Sequence, residues 1–139
     1  MSDETPDVPP GYEPLTRVSP FVERIGPLYA RRRDTGVVFG FRALAHHANT
    51  YGVVHGGMLM SFADEAIGAA VWHAVGKRRC TTVSLSTDFV SSGRVGDWIE
   101  ADVETTRQGR SMIFMRGRLH CDGRTILSVN GIWKLLEKG

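Results

Sequence analysis

Apolar residues come in adjacent pairs at 58/59, 62/63, 66/67, 70/71 and 74/75, a spacing close to the 3.6-residue helical repeat. This predicts one long helix over residues 55–75. Gly76 ends it, and the "KRR" that follows sets cations where they complement the helix dipole. Four strand-like runs come next, at 80–90, 97–108, 110–121 and 125–136, parted by "SSGRVG", "QGR" and "DGR", which are turn chemistry. Ahead of the helix, "SPFVERIG" (19–26) reads as a short helix with Ser19 as cap, Pro20 at the first position and Gly26-Pro27 as the stop. "LYARRR" and "VVFGFRAL" read as strands joined at Asp34-Thr35-Gly36, and "AHHANTYGV" as a polar loop. Strands, one long helix and a strand meander make an α+β pattern. The simplest packing wraps a curved antiparallel sheet around the helix.

A chain of 139 residues fits one domain able to bury its own core without disulfide or metal support. Residues 1–14 hold four prolines and four acids with no base, the composition of a disordered arm. The domain is expected over 15–139. The arm lacks the basic start and apolar middle of a signal peptide, and no apolar run approaches the roughly 20 residues of a membrane span. A cytoplasmic location without membrane association is expected. Cys80 and Cys121 stand far apart and read as buried free thiols. Beyond the arm, 17 basic side chains face 11 acidic ones. Such a body suits a polyanionic small ligand or nucleic acid, or simply a solvated surface.

The long helix carries two features that core filling does not require. Gly57, Ser61, Asp64 and Gly68 share the side away from the apolar stripe, so something approaches that face closely. His55-Gly56-Gly57 opens the helix, where free N–H groups and the positive dipole end can polarise a carbonyl or hold an anion. Each feature alone has a plain reading, as a cap or as an acid meeting solvent.

Together they are more specific. Asn49, then His55-Gly56-Gly57, then Asp64, followed by "TTVSLSTDFVSSGRVGD" and "VETTRQGRSMIFMRGRLHCDGRTILSVNGIWKLL", resemble the hotdog-fold thioesterases of the phenylacetic-acid-pathway (PaaI-like) type. The resemblance spans about residues 15–136. It implies a hotdog fold, pairing into homodimers or dimers of dimers, and hydrolysis of acyl-coenzyme A thioesters without metal or other cofactor. It also implies roles: Asp64 as nucleophile or general base, the Gly56 N–H as the donor to the thioester carbonyl, and His55 as the residue shaping that turn. Asn49 would position water or the carbonyl, and Thr82 would support the carboxylate. Gly57, Arg94 and Arg110 are the substrate-binding candidates, with the arginines, and Arg107 beside them, in turns that could meet coenzyme A phosphates.

Spacing adds an inference of its own. Nine residues of helix make about 900° of rotation and about 13.5 Å of rise, which sets Asp64 nearly opposite His55. A two-fold partner would bring His55 and Gly56 of one subunit to Asp64 of the other. His46, His47, His73 and His120 lack metal-ligand spacing and read as surface or core histidines. Glu65 reads as a helix-edge acid; Met58, Trp72 and Phe89 could line an acyl tunnel but match plain core as well. Two other functions stand as alternatives on this fold: a non-catalytic acyl-CoA-binding domain, and an acyl-thioester hydratase or dehydratase, whose chemistry usually wants a histidine beside an acid where the layout here resembles the thioesterase set.

Overall fold

The computed structural model describes residues 7–34 and 36–137. A two-residue strand β1 (Glu13–Pro14) leads to helix α1 (Pro20–Ile25), which begins where the Val22 N–H donates to the Ser19 hydroxyl at 3.2 Å and ends at Gly26. Strands β2 (Tyr29–Arg33) and β3 (Gly36–Arg42) pair with Arg33 opposite Gly36. Thr35, at the centre of the expected turn, lies outside the described residues. The long helix α2 runs Gly56–Ala74, and β4 (Cys80–Phe89), β5 (Trp98–Gln108), β6 (Met112–Cys121) and β7 (Arg124–Leu135) follow. Arg107 falls inside β5 rather than in a turn, because that strand continues past a bulge between Thr105 and Arg107. No helix among the described residues is long and apolar enough to cross a membrane.

All strand pairs are antiparallel, in the order β1-β2-β3-β5-β6-β7-β4. The connection through α2 carries β4 to the far edge, beyond β7. The apolar stripe of α2, with Phe62 and Ile67 fully buried, packs on Phe41, Ile99, Ile113 and Trp133 from the inner sheet face. Each such side chain stabilises the fold by about 1.5–3 kcal/mol. This is the α+β architecture expected, a helix wrapped by one curved sheet that does not close.

Strand β4 does not alternate evenly. Thr82 stands opposite Trp133, but Ser84 stands opposite Ile132, so Val83 is an extra residue in the ladder. Residues directly opposite share a sheet face. Cys80 and Thr82 therefore face α2 before the bulge, and Leu85, Thr87 and Phe89 face it afterwards.

The expected free arm over residues 1–14 is only partly open to description, since residues 1–6 lie outside the described residues. Residues 7–14 are packed rather than free. Tyr12 is buried against Trp98, with ring centroids 4.8 Å apart, and its hydroxyl donates to Glu100. Burial first, and Glu100 second, push the Tyr12 hydroxyl up to about 12. The aromatic ring supplies the apolar area that a Pro- and acid-rich segment otherwise lacks.

Candidate active site

Helix α2 opens in a turn that His55 organises alone. Its ring Nδ1 accepts from the Gly57 N–H at 2.8 Å, and its carbonyl accepts from Met58 and Leu59. Of the four N–H groups that a helix start leaves without intrahelical partners, only that of Gly56 makes no hydrogen bond among the described residues. Glycine at 56 also admits the Phe89 ring, since a Cβ there would stand 2.9 Å from Phe89 Cε1.

The loop before this turn is held from both sides. The Asn49 Oδ1 accepts from the N–H groups of Tyr51 (2.9 Å) and Val53 (3.3 Å), so its carbonyl is consumed by the loop and its amide N–H₂ is engaged by no described residue. The His55 N–H donates to the His47 carbonyl at 2.8 Å. His47 is 2% exposed; its Nδ1 accepts from the Leu44 N–H and its Nε2 meets the Ile25 carbonyl. Burial, its largest cause, pushes the His47 ring below the ordinary imidazole range, with the His46 ring adding to the effect. His47 is thus the core histidine of the pair, tying α1 to the turn.

Asp64 lies two turns along α2, half-buried, on the face that Gly57, Ser61 and Gly68 leave uncovered. The Thr82 hydroxyl donates to its Oδ1 at 2.7 Å. Asp64 borders a hollow with Gly68, Trp72, Cys80, Thr82 and Trp133. Cys80 is half-buried there rather than fully buried, and burial together with the Asp64 charge pushes its thiol up. Glu65 sits at the helix edge; burial and the Asp64 charge raise its carboxyl.

The expected residues therefore fall into separate places within one chain. Asp64 and Thr82 meet in one hollow, while His55 and Gly57 border another with Arg24, His46, His47 and Ser61. Arg94 bridges to Val53, at the Asn49 loop, whereas Arg110 lies in the turn where Ser111 accepts from Leu135, at the opposite end of β7. The two arginines are not brought together. Met58 is core at 7% exposure, but Trp72 and Phe89 are exposed side chains, Trp72 on the Asp64 hollow and Phe89 against Gly56. Cys80 and Trp133, which line the Asp64 hollow, carry no sequence signal beyond apolar strand alternation; the β4 bulge brings Cys80 and Thr82 to α2.

A family model described as the thioesterase superfamily matches residues 51–128. The chain is 34% identical over 131 residues to the Pseudomonas aeruginosa protein named "Putative esterase PA0474", covering 93% of this chain and 98% of that one. Its fold is similar to that of the PaaI protein of the Escherichia coli phenylacetic acid degradation operon, at TM-score 0.67 and 21% identity, covering 73% of this chain and 72% of that one. It is equally similar to a hypothetical thioesterase from Streptococcus pneumoniae solved with coenzyme A, at TM-score 0.67 and 22% identity, over 73% and 82% of the two chains. With more than half its length matched by the family model and a full-length relative at this identity, the chain belongs to the thioesterase superfamily, on the hotdog fold.

Proposed function

We propose that the protein hydrolyses acyl-coenzyme A thioesters at a site shared between two copies of the chain. The observation that carries this reading is Asp64: a carboxylate on a face of small residues, one oxygen held by Thr82, in a chain of the thioesterase superfamily. The Gly56 N–H, unspent and at the positive end of α2, supplies the donor where negative charge develops on the thioester oxygen. The Asn49 amide keeps an N–H₂ that no described residue engages, a second donor for water or the substrate carbonyl. Asp64 acts as nucleophile or as the base that activates water. As base, Asp64 takes a proton from water, whose oxygen attacks the carbonyl carbon; the C–S bond breaks, and the thiolate of coenzyme A leaves and takes that proton. As nucleophile, Asp64 displaces the thiolate to form a mixed anhydride, which water then hydrolyses to the acid and free Asp64.

The shared site is supported by the separation of the two hollows and by the edge of the sheet. β4 pairs with β7 on one side only, and Val83, Phe89 and Val90 along it are exposed. A second copy pairing there would cover apolar surface and place another α2 beside the first. Arg94, beside the Asn49 loop, is the candidate for coenzyme A phosphates of its own chain's site, with Arg110 serving from elsewhere in the assembly. The support for coenzyme A as the carrier is the basic body of the chain and the ligand-bound neighbour.

A thiol-release assay over a panel of acyl-CoA thioesters tests the reading. Hydrolysis frees thiol; hydration or binding alone does not. Asp64→Asn should keep the fold and lower turnover by about 10²–10⁴, the range for one positioned acid-base group. A folded variant within threefold of wild type would remove Asp64 from the chemistry.

A further inference from the structure

Trp133 is only 1% exposed; no described residue accepts from its Nε1, which is not among the fully buried unpaired polar atoms, so this N–H is open to water. An indole N–H on a pocket wall needs another acceptor once a bound molecule displaces its water. This one borders the Asp64 hollow, directly over the helix at Gly68: a Cβ built on Gly68 would lie 3.6 Å from Trp133 Nε1. Gly68 is one turn from Asp64, about 6 Å along the axis, and it presents no side chain to shield the indole. The Cys80 thiol, also on that wall, is turned to the Gly68 carbonyl at 3.9 Å.

We infer that Trp133 Nε1–H is a substrate-specificity donor, which recognises an acyl group carrying a hydrogen-bond-accepting oxygen about one helical turn from its reacting carbon. The inference rests on the thioesterase reading and narrows its substrate class to oxygenated acyl chains, hydroxy- or oxo-substituted, over plain hydrocarbon ones. An unsubstituted chain would desolvate the indole N–H without replacing its bond to water, and so bind less well.

The experiment compares kcat/KM for hexanoyl-CoA with 3-hydroxyhexanoyl-CoA and 5-oxohexanoyl-CoA by thiol release. Wild type should favour at least one oxygenated thioester by roughly five- to tenfold, the worth of one neutral hydrogen bond. Gly68→Ala adds a methyl in ordinary contact with the indole and improves helix propensity, so it should melt no lower than wild type while losing the preference. Trp133→Phe removes the N–H and should lose it too. If Trp133→Phe unfolds, Gly68→Ala decides. Equal rates on all three substrates in wild type, or a preference that survives Gly68→Ala, would overturn the inference. So would an equal loss on all substrates in folded Trp133→Phe, which would assign the N–H to the reacting carbonyl. No thiol release from any thioester would instead reject the underlying thioesterase reading.

Discussion

Replacing Gly56 with proline removes one hydrogen atom from the chemistry and disturbs little else. Gly56 is the first residue of α2, the helical position where proline is best tolerated. The residue before a proline must be extended, and His55 already is, at φ −59° and ψ 135°. The N–H that proline deletes bonds to nothing else among the described residues, so no internal bond is lost. The one collision is with the Phe89 ring, 2.9 Å from the new Cβ, and that ring is 55% exposed and free to swing away. Restricting the unfolded chain contributes about 0.4–1 kcal/mol where the geometry fits, which offsets the movement of Phe89. Stability should therefore stay within about 1 kcal/mol of wild type. Turnover should fall by about 10²–10³, or 2.7–4 kcal/mol of transition-state stabilisation, the measured scale for one oxyanion donor. Gly56→Ala is the control, since it displaces Phe89 equally and keeps the N–H. Circular dichroism and thermal melting establish the fold, and thiol release gives kcat for both. A folded Gly56→Pro that turns over within threefold of Gly56→Ala would refute the polarising role.

Three further predictions address other links. Asn49→Asp keeps the carbonyl that holds its loop and deletes the N–H₂ donor; refolded at equal amounts with Asp64→Asn, it should regain roughly a quarter of wild-type activity, because random pairing makes half the dimers mixed and each mixed dimer has one intact site. No recovery, after mass spectrometry shows exchange, would reject a site shared between chains. Thr82→Val removes the hydroxyl on Asp64 from an exposed position, so kcat should drop about fivefold to tenfold, the worth of one hydrogen bond to a charged group at partial exposure, with an unchanged melting temperature; equal kcat would leave Thr82 without a role. His47 accepts from Leu44 at Nδ1, so a proton there would oppose a donor, and its folded-state value lies below the ordinary 6.5. The unfolded chain then binds the proton first, stability is full above about pH 6.5 and is lost as pH falls toward the lowered value, and the melting temperature should be lower at pH 5.5 than at pH 7.5.

The elements were legible because their signals are local. Ser19, Pro20 and Gly26 bound α1 by capping chemistry, and the paired apolar residues of α2 expose its period directly. Strand boundaries follow from "QGR" and "DGR", whose Gly109-Arg110 and Asp122-Gly123 lie outside any ladder. Tertiary facts were not legible. Nothing in "PPGYEP" distinguishes a tyrosine that finds Trp98 from one left in solvent, so the segment from Asp7 to Pro14 read as arm. The side-chain carbonyl of Asn49 is spent on its own loop, which a position in a motif does not reveal. Trp133 follows the apolar alternation of β7 and reads as core, and it is core in all but its Nε1. The two arginines illustrate the same limit: both occupy turns, and only the register of the sheet separates their ends.

The extra residue in β4 gives position 83 an unusual kind of importance. Its side chain points away from α2 into solvent, and its chemical character matters little to Asp64. What matters is that the ladder skips it. Val83 works as a phase shift in the strand: with it bulged out, Thr82 stands opposite Trp133, whereas in an unbroken ladder counted back from Leu85, Val83 would face α2 and Cys80 and Thr82 would turn outward. The site thus depends on where the ladder slips rather than on which side chain stands at that point, and register, rather than composition, is the information this stretch of the edge strand encodes.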